Sequence, residues 1–121
     1  MNPEFGLGKI LIALDNIPSY VFVTYDGRIA KNGELARGIS ANNCSIHENL
    51  LIFTDNDSFL KTGSFFQLVG GKMELTCDEN GKGTPAQIGD FVNAIALENS
   101  DSIDQLITVE IIQYPFLKTI S

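Results

Sequence analysis

Residues 64–76, Ser-Phe-Phe-Gln-Leu-Val-Gly-Gly-Lys-Met-Glu-Leu-Thr, decide how the chain is read. Two apolar runs flank Gly70-Gly71, and a glycine pair between such runs reads as a two-residue hairpin turn. The same grammar extends in both directions. Short runs rich in Ile, Val, Phe and Thr alternate with turn pairs: Asp26-Gly27, Asn32-Gly33, Asn80-Gly81 and Lys82-Gly83. Asp-Gly and Asn-Gly tolerate the positive φ that tight turns require. The pattern predicts strands over residues 20–25, 35–40, 49–54, 64–69, 72–76, 91–97 and 106–114. Helical periodicity is scarce: Gly89 interrupts the best candidate, residues 86–96, and Val92 and Ile95 suit a strand better. Residues 100–106 read as one short turn. Pro115 is expected to end the last strand, because proline cannot donate to a ladder.

The predicted fold is therefore all-β, a small β-sandwich or partly closed β-barrel with an extended N-terminal arm. The arm is assigned to residues 1–19, with residues 10–14 offering an edge strand. The β domain follows over residues 20–115 and a tail over 116–121. Two related halves are expected at 20–54 and 63–113. Val23-Thr24-Tyr25-Asp26 matches Leu75-Thr76-Cys77-Asp78, and Ala36-Arg37-Gly38-Ile39-Ser40 matches Val92-Asn93-Ala94-Ile95-Ala96. Ser45-Ile46-His47-Glu48 matches Ser102-Ile103-Asp104-Gln105. The second half is longer between its Asp and the middle strand, in the loop 78–89, where added length costs little.

Composition narrows the function classes. A chain of 121 residues reads as one domain able to bury a core without metals or disulfides. It lacks Trp, but eight Phe and three Tyr supply bulky groups. The net charge is −7, and the basic residues, such as Lys9, Arg28, Arg37, Lys61 and Lys118, are scattered singly. Nucleic-acid binding needs a basic stripe, and none is present; anionic membranes are disfavoured for the same reason. Residues 1–8 carry no basic segment of the secretory type, and the apolar run at 10–14 is too short to span a bilayer. Cys44 and Cys77 are read as two reduced thiols rather than a bridge.

The residues that carry chemistry do not converge. His47 is the one histidine, and Cys44-x-x-His47 falls short of the four ligands of a structural zinc site. A Cys–His catalytic pair inside one short loop lacks fixed geometry. Residues 78–83 fail as a calcium loop, with Gly89 rather than Glu at the twelfth position. Asp55-Asn56-Asp57-Ser58 reads as a turn. Neither Gly6-Leu7-Gly8-Lys9 nor Gly70-Gly71-Lys72 has phosphate-loop spacing. The expectation is no enzyme, no cofactor and no metal site.

With these segments in order, the chain resembles the small capsid decoration, or cement, proteins of tailed bacteriophages over about residues 20–113. The resemblance rests on Glu34-Leu-Ala-Arg-Gly-Ile-Ser40, Gly70-Gly-Lys-Met-Glu-Leu-Thr76, Gly89-Asp-Phe-Val-Asn-Ala-Ile-Ala-Leu-Glu-Asn-Ser100 and Leu106-Ile-Thr-Val-Glu-Ile-Ile112. In that family a middle strand of the type Val-x-Gly-x-Ala-Leu precedes a polar loop and a last strand of alternating Val and Ile. Here Ala94 stands where glycine is common, Asn-rich loops replace Ala/Gly-rich ones, and residues 1–19 have no clear counterpart. The resemblance implies a virion protein made in the host cytoplasm. It would bind the outer capsid surface, often as a trimer, and stabilise contacts between major capsid subunits.

Candidate contact residues follow. Phe5, Leu7, Ile10 and Ile12 would be buried when the arm orders on a neighbour. Adjacent Phe65 and Phe66 must point to opposite faces, which marks a partner surface, and Tyr114 and Phe116 near the end of the last strand complete the set. The competing expectation is a carbohydrate- or host-surface-binding module of a phage fibre or head appendage. It would use the loops 41–49 and 55–58, with Tyr25 or Phe59 as a stacking platform.

Overall fold

The computed structural model of the protein describes residues 8–120. Among these, nine strands and no helix are found: β1 (Gly8–Ile12), β2 (Phe22–Val23), β3 (Gly38–Ser40), β4 (Asn49–Phe53), β5 (Asp57–Lys61), β6 (Met73–Cys77), β7 (Gly83–Pro85), β8 (Phe91–Ala96) and β9 (Leu106–Leu117). They form two antiparallel sheets, ordered β1-β4-β3-β2 and β5-β9-β8-β6-β7, that do not close into a barrel. The fold is a small β-sandwich.

Side-chain alternation builds the layers. In β9, Ile107, Val109 and Ile111 are buried while Leu106 and Glu110 face water. In β4, Leu50 and Ile52 are buried against exposed Asn49 and Leu51. Period-two alternation gives each sheet a core face. The first sheet, however, is buried on both sides. Val23, Leu50 and Ile52 pack with Ala13, Ile17, Val21 and Cys44 in one cluster. From the opposite side, Phe22, Ile39 and the half-buried Phe53 join Leu60, Leu75, Ala94, Ile107 and Val109 of the second sheet in the larger cluster. Burying a side chain such as Phe22 contributes about 1.5–3 kcal/mol. The two sheets are thereby one hydrophobic unit.

Both sheets follow one plan of register. Pairs from Gly8↔Phe53 to Ile12↔Asn49 correspond to pairs from Asp57↔Glu110 to Lys61↔Leu106. Phe22↔Ile39 and Val23↔Gly38 correspond to Glu74↔Ile95 and Leu75↔Ala94. Ile39↔Phe53 and Ser40↔Ile52 correspond to Ile95↔Glu110 and Ala96↔Val109. The connections agree as well. The Ile17↔Cys44 bridge matches Phe66↔Ser100. His47 and Asp104 both take positive φ (71° and 66°), and their N–H groups donate to the carbonyls of Ala13 and Thr62. These correspondences begin at β1 and β5, upstream of the short motifs legible in the sequence.

Several boundaries differ from the sequence reading. Residues 8–19, assigned to an arm, are part of the domain: β1 pairs along its whole length with β4, and Ala13 and Ile17 are buried. Residues 64–69 are not a strand. Phe66 bridges to Ser100, the Leu68 N–H donates to Asn99 Oδ1, and Val69 pairs only with Lys72. Gly70 and Gly71 do form the expected tight turn, with φ of 64° and 83°. β5 was hidden because its polar start reads as a turn, and β7 lies in the presumed loop insertion. Pro115 does not end β9. Between the pairs Ala94↔Ile111 and Val92↔Phe116, β9 runs on five residues while β8 advances two. Proline is tolerated in such an irregularity, where no ladder donor is required. Residues 116 and 117, assigned to a tail, pair with Val92 and Phe91.

The halves are tied by polar contacts as well. Buried Asn93, at the irregularity in β8, accepts from the Ala36 N–H (3.0 Å) and donates through Nδ2 to the Glu34 carbonyl (2.9 Å). The loop between β6 and β7 reaches back. The N–H groups of Phe22 and Asn32 donate to the carbonyls of Gly81 and Asp78. Gly81 has φ of 79°, and a Cβ there would lie 2.6 Å from Ile29 Cγ2, so only glycine fits without displacement.

Replacing Asn93 with Ala leaves two backbone groups without their amide partner. Each unsatisfied buried group costs about 1–3 kcal/mol. Asn93→Ala is expected to lower stability by about 2–4 kcal/mol in urea unfolding, well beyond the effect of an exposed Asn42→Ala control.

Candidate interaction surface

The residues singled out as contacts fall into separate regions. Phe5 and Leu7 lie outside the described residues. Ile10 and Ile12 stand on one side of β1 and are 68% and 54% exposed. Ile10 is directly opposite Leu51 and shares its face, so the sheet presents an apolar strip at this edge. Phe65 is 66% exposed and Tyr114 is 80% exposed; Phe116 is half exposed. Phe66 is not available as a contact: it is 8% exposed and belongs to the main core. Its backbone pairing with Ser100 turns it inward, at the position that Ile17 holds in the first half. Adjacent residues point to opposite sides, and the domain takes Phe66 while Phe65 faces out.

The sequence reading missed other apolar groups on the surface, notably Val69, Ile88, Leu97 and Leu106. Val69 precedes the Gly70-Gly71 turn and is 76% exposed, which a hairpin protruding from the body would foretell. Leu106 lies opposite Lys61, and Phe59 opposite Thr108, on the outer face of the second sheet. That face is mixed rather than apolar, with Glu74 and Glu110 near Ile95.

Several polar residues singled out in the sequence take part in turns and ion pairs, His47 through its backbone alone. His47 sits at positive φ, and its N–H donates to Ala13 O. Asp78 Oδ1 accepts from the N–H groups of Asn80 and Lys82, closing the turn that had looked like a calcium loop. Lys82 also pairs with Asp104. Among the described residues, no group of three or more His, Cys, Asp or Glu side chains is placed to hold a metal ion. Cys44 and Cys77 are free thiols in different core clusters. Burial pushes the Cys77 thiol up to about 11, and burial with the nearby Glu48 carboxylate raises that of Cys44.

One cluster has the composition of a small recognition site. The Arg37 guanidinium lies 5.3 Å from the centre of the Tyr25 ring. Lys9, Gln113 and Tyr114 line the same cleft. The geometry suits a cation–π contact, and it leaves the Tyr25 ring partly committed to Arg37. Phe59, the other suggested platform, meets Tyr20 edge to face at 6.1 Å between ring centres. Of the loop side chains proposed for sugar binding, Asn43 Oδ1 accepts from the Ser19 N–H. Asp57 and Ser58 begin β5.

No protein-family model matches the chain, and no curated protein matches it in sequence. Among solved structures, the fold is similar to that of the head fiber gp8.5 N base of bacteriophage phi29, with a TM-score of 0.71 and 17% identity. The likeness covers 92% of this chain and 98% of that one. It extends through both sheets rather than over one half.

Thiolates rather than thiols react with alkylating agents. Neither cysteine is therefore expected to be labelled by iodoacetamide in the native protein at pH 8, and both should react in denaturant. Mass spectrometry of the alkylated chain reads this directly.

Proposed function

We propose that the protein is a structural component of a bacteriophage head, attached to the outer capsid surface and without catalytic activity. The observation that carries this reading is the likeness of fold to a phage head-fibre base over nearly the full length of both chains. The resemblance of the strand motifs to capsid decoration proteins points the same way from the sequence. In this reading the partner is the major capsid protein, and the protein acts as a homo-oligomer, with a trimer suited to threefold positions on a shell. Its work is to clamp neighbouring capsid subunits.

The physical character of the molecule supports the role. Both sheets share one core, so the domain is a stiff block. Its apolar surface is divided among several separate sites, and multivalent attachment needs only weak contacts at each. A net charge of −7 keeps decorated particles from associating.

A second reading follows from the nature of the structural neighbour, a head-fiber base: the protein serves as the base from which a head appendage projects. The exposed far end of β9, with Tyr114, Phe116 and Leu117, gives such a base a place to meet a projecting element.

The test is to incubate the purified protein with phage heads lacking outer proteins, sediment them, and image the pellet by electron cryomicroscopy. Density for the protein on the outer shell, with raised thermal stability of the heads, is the expected result. Density that continues outward from the protein on native particles would favour the appendage base. Failure to co-sediment with any head preparation would overturn capsid attachment.

A further inference from the structure

We propose that the open side of β1 is an interface for a second copy of this chain, which lays its 69–74 segment along Ile10 and Ile12. The contact would repeat, between molecules, the one that residues 20–22 make with β5 inside each molecule. It concerns self-association alone and does not depend on capsid attachment.

The internal contact supplies the template. β5 is an edge strand of the second sheet. Its open side is covered by the first half: the Lys61 N–H donates to Tyr20 O at 2.9 Å, and the Tyr20 ring packs edge-on against Phe59. By register, Ile12 is the counterpart of Lys61, and Ile10 of Phe59. The orientation of the backbone is also the same. The Ala13 N–H donates to Glu48 O, as the Thr62 N–H donates to Gln105 O. N–H groups alternate in direction along a strand, so the Ile12 N–H points to the open side, as that of Lys61 does. Among the described residues, no acceptor meets it.

β1 is lightly guarded for a free edge: Lys9 is its one charge, and the turn at Gly27 covers only the end at and beyond Ile12 O, where the Leu14 N–H donates to Gly27 O. Such strands usually carry charges, a proline or a bulge to discourage pairing. β1 is Gly-Lys-Ile-Leu-Ile, unbulged over five consecutive pairs, with two exposed isoleucines and one lysine.

The complementary element exists at the other end of the molecule. The register that places Phe22 opposite Ile39 places Glu74 opposite Ile95, so residues 72–74 are the counterpart of residues 20–22. Asn43 and Asn99 anchor the preceding residues Ser19 and Leu68 in the same manner. Two residues separate Ser19 from Phe22, whereas five separate Leu68 from Glu74. The added length forms the Gly70-Gly71 hairpin and thrusts Val69 into solvent. An edge with an unmet donor and an exposed segment at the register position of the existing cover therefore occur in one chain; the segment differs from that cover in that Lys72 lacks the positive φ of Tyr20 and its carbonyl also accepts from the Val69 N–H. A contact between unlike surfaces closes into a ring when the rotation permits, as the trimer reading requires.

The two versions also differ in apolar content. Phe22 and Phe53 of the first half are replaced by Glu74 and Glu110 in the second, and Glu74 pairs with Lys118. The contact between copies therefore buries less apolar surface than the internal one, and rests on the hairpin and the β1 edge. That suits an interface whose two sides must be soluble before they meet.

The experiment uses the full chain. Ile12→Cys and Lys72→Cys are made in separate chains, mixed, and oxidised mildly; the native thiols are buried. A disulfide-linked pair that forms in the mixture, and far less in either chain alone, is expected. In parallel, light scattering should show an oligomer for the wild type and a monomer for Ile10→Asp and Ile12→Asp, with circular dichroism confirming that both remain folded. Linkage of Ile12→Cys to itself as fast as in the mixture would instead show β1 pairing with β1 and overturn the proposal. A monomeric wild type, or Asp variants that keep the oligomer, would also overturn it.

Discussion

The side-chain amide of Asn93 accepts from and donates to the backbone of another segment, and the arrangement of the two sheets depends on that pair of bonds. Its oxygen takes the Ala36 N–H and its nitrogen gives to Glu34 O, in a place closed to water. The irregular pairing of β8 with β9 puts Asn93 where it can do this. Residues 34–36 lead into β3, so fixing them fixes the first sheet against the second. The reach of the 78–82 loop to Phe22 and Asn32 adds a second fastening of the same kind. A buried polar contact is costly unless fully satisfied, and this one selects a single way for the halves to sit together.

The consequence is a sheet with two dry faces. The first half closes its own small core with the loops around Ala13, Ile17 and Cys44, and uses its other face, through Phe22 and Ile39, to enter the core of the second. The second half holds its core in the same way, but leaves the equivalent outer face mixed, with Glu74 and Glu110 in place of phenylalanines. One plan of strands thus yields two different surfaces. The first half is the docking unit and the second the receiving unit. The chemistry of the surface follows from that division: among the apolar groups that remain outside, Ile10, Ile12 and Val69 sit at an edge and a turn, while Leu51 and Leu106 lie on inner strands.

Much of this was legible in the sequence, for identifiable reasons. The alternation in residues 106–112 and the Gly70-Gly71 turn are local signals, and from local signals came the all-β class and most of the strands. The matched motifs around Val23 and Leu75 lie at corresponding register positions in the two sheets. What was not legible is long-range. Residues 1–19 read as an arm with an edge strand offered at 10–14, and nothing nearby reveals that Leu11 and Ala13 are held against β4. β5 was hidden by its opening Asp-Ser. Phe66 was read as exposed or buried on the strength of its neighbour alone, and the choice is made by Ser100, far along the chain. Asn93 resembled any polar residue in a strand; its role depends on residues nearly sixty positions away.

The account stands on the two halves opening together. Native-state hydrogen exchange measures this most directly, through the amides of Phe22 and Ala36 at the junction and of Val109 in the second core. One opening free energy common to all three, equal to the global stability, is the predicted result. Junction amides that exchange through a lower-energy opening while Val109 stays protected would show two independent halves, and would contradict the account.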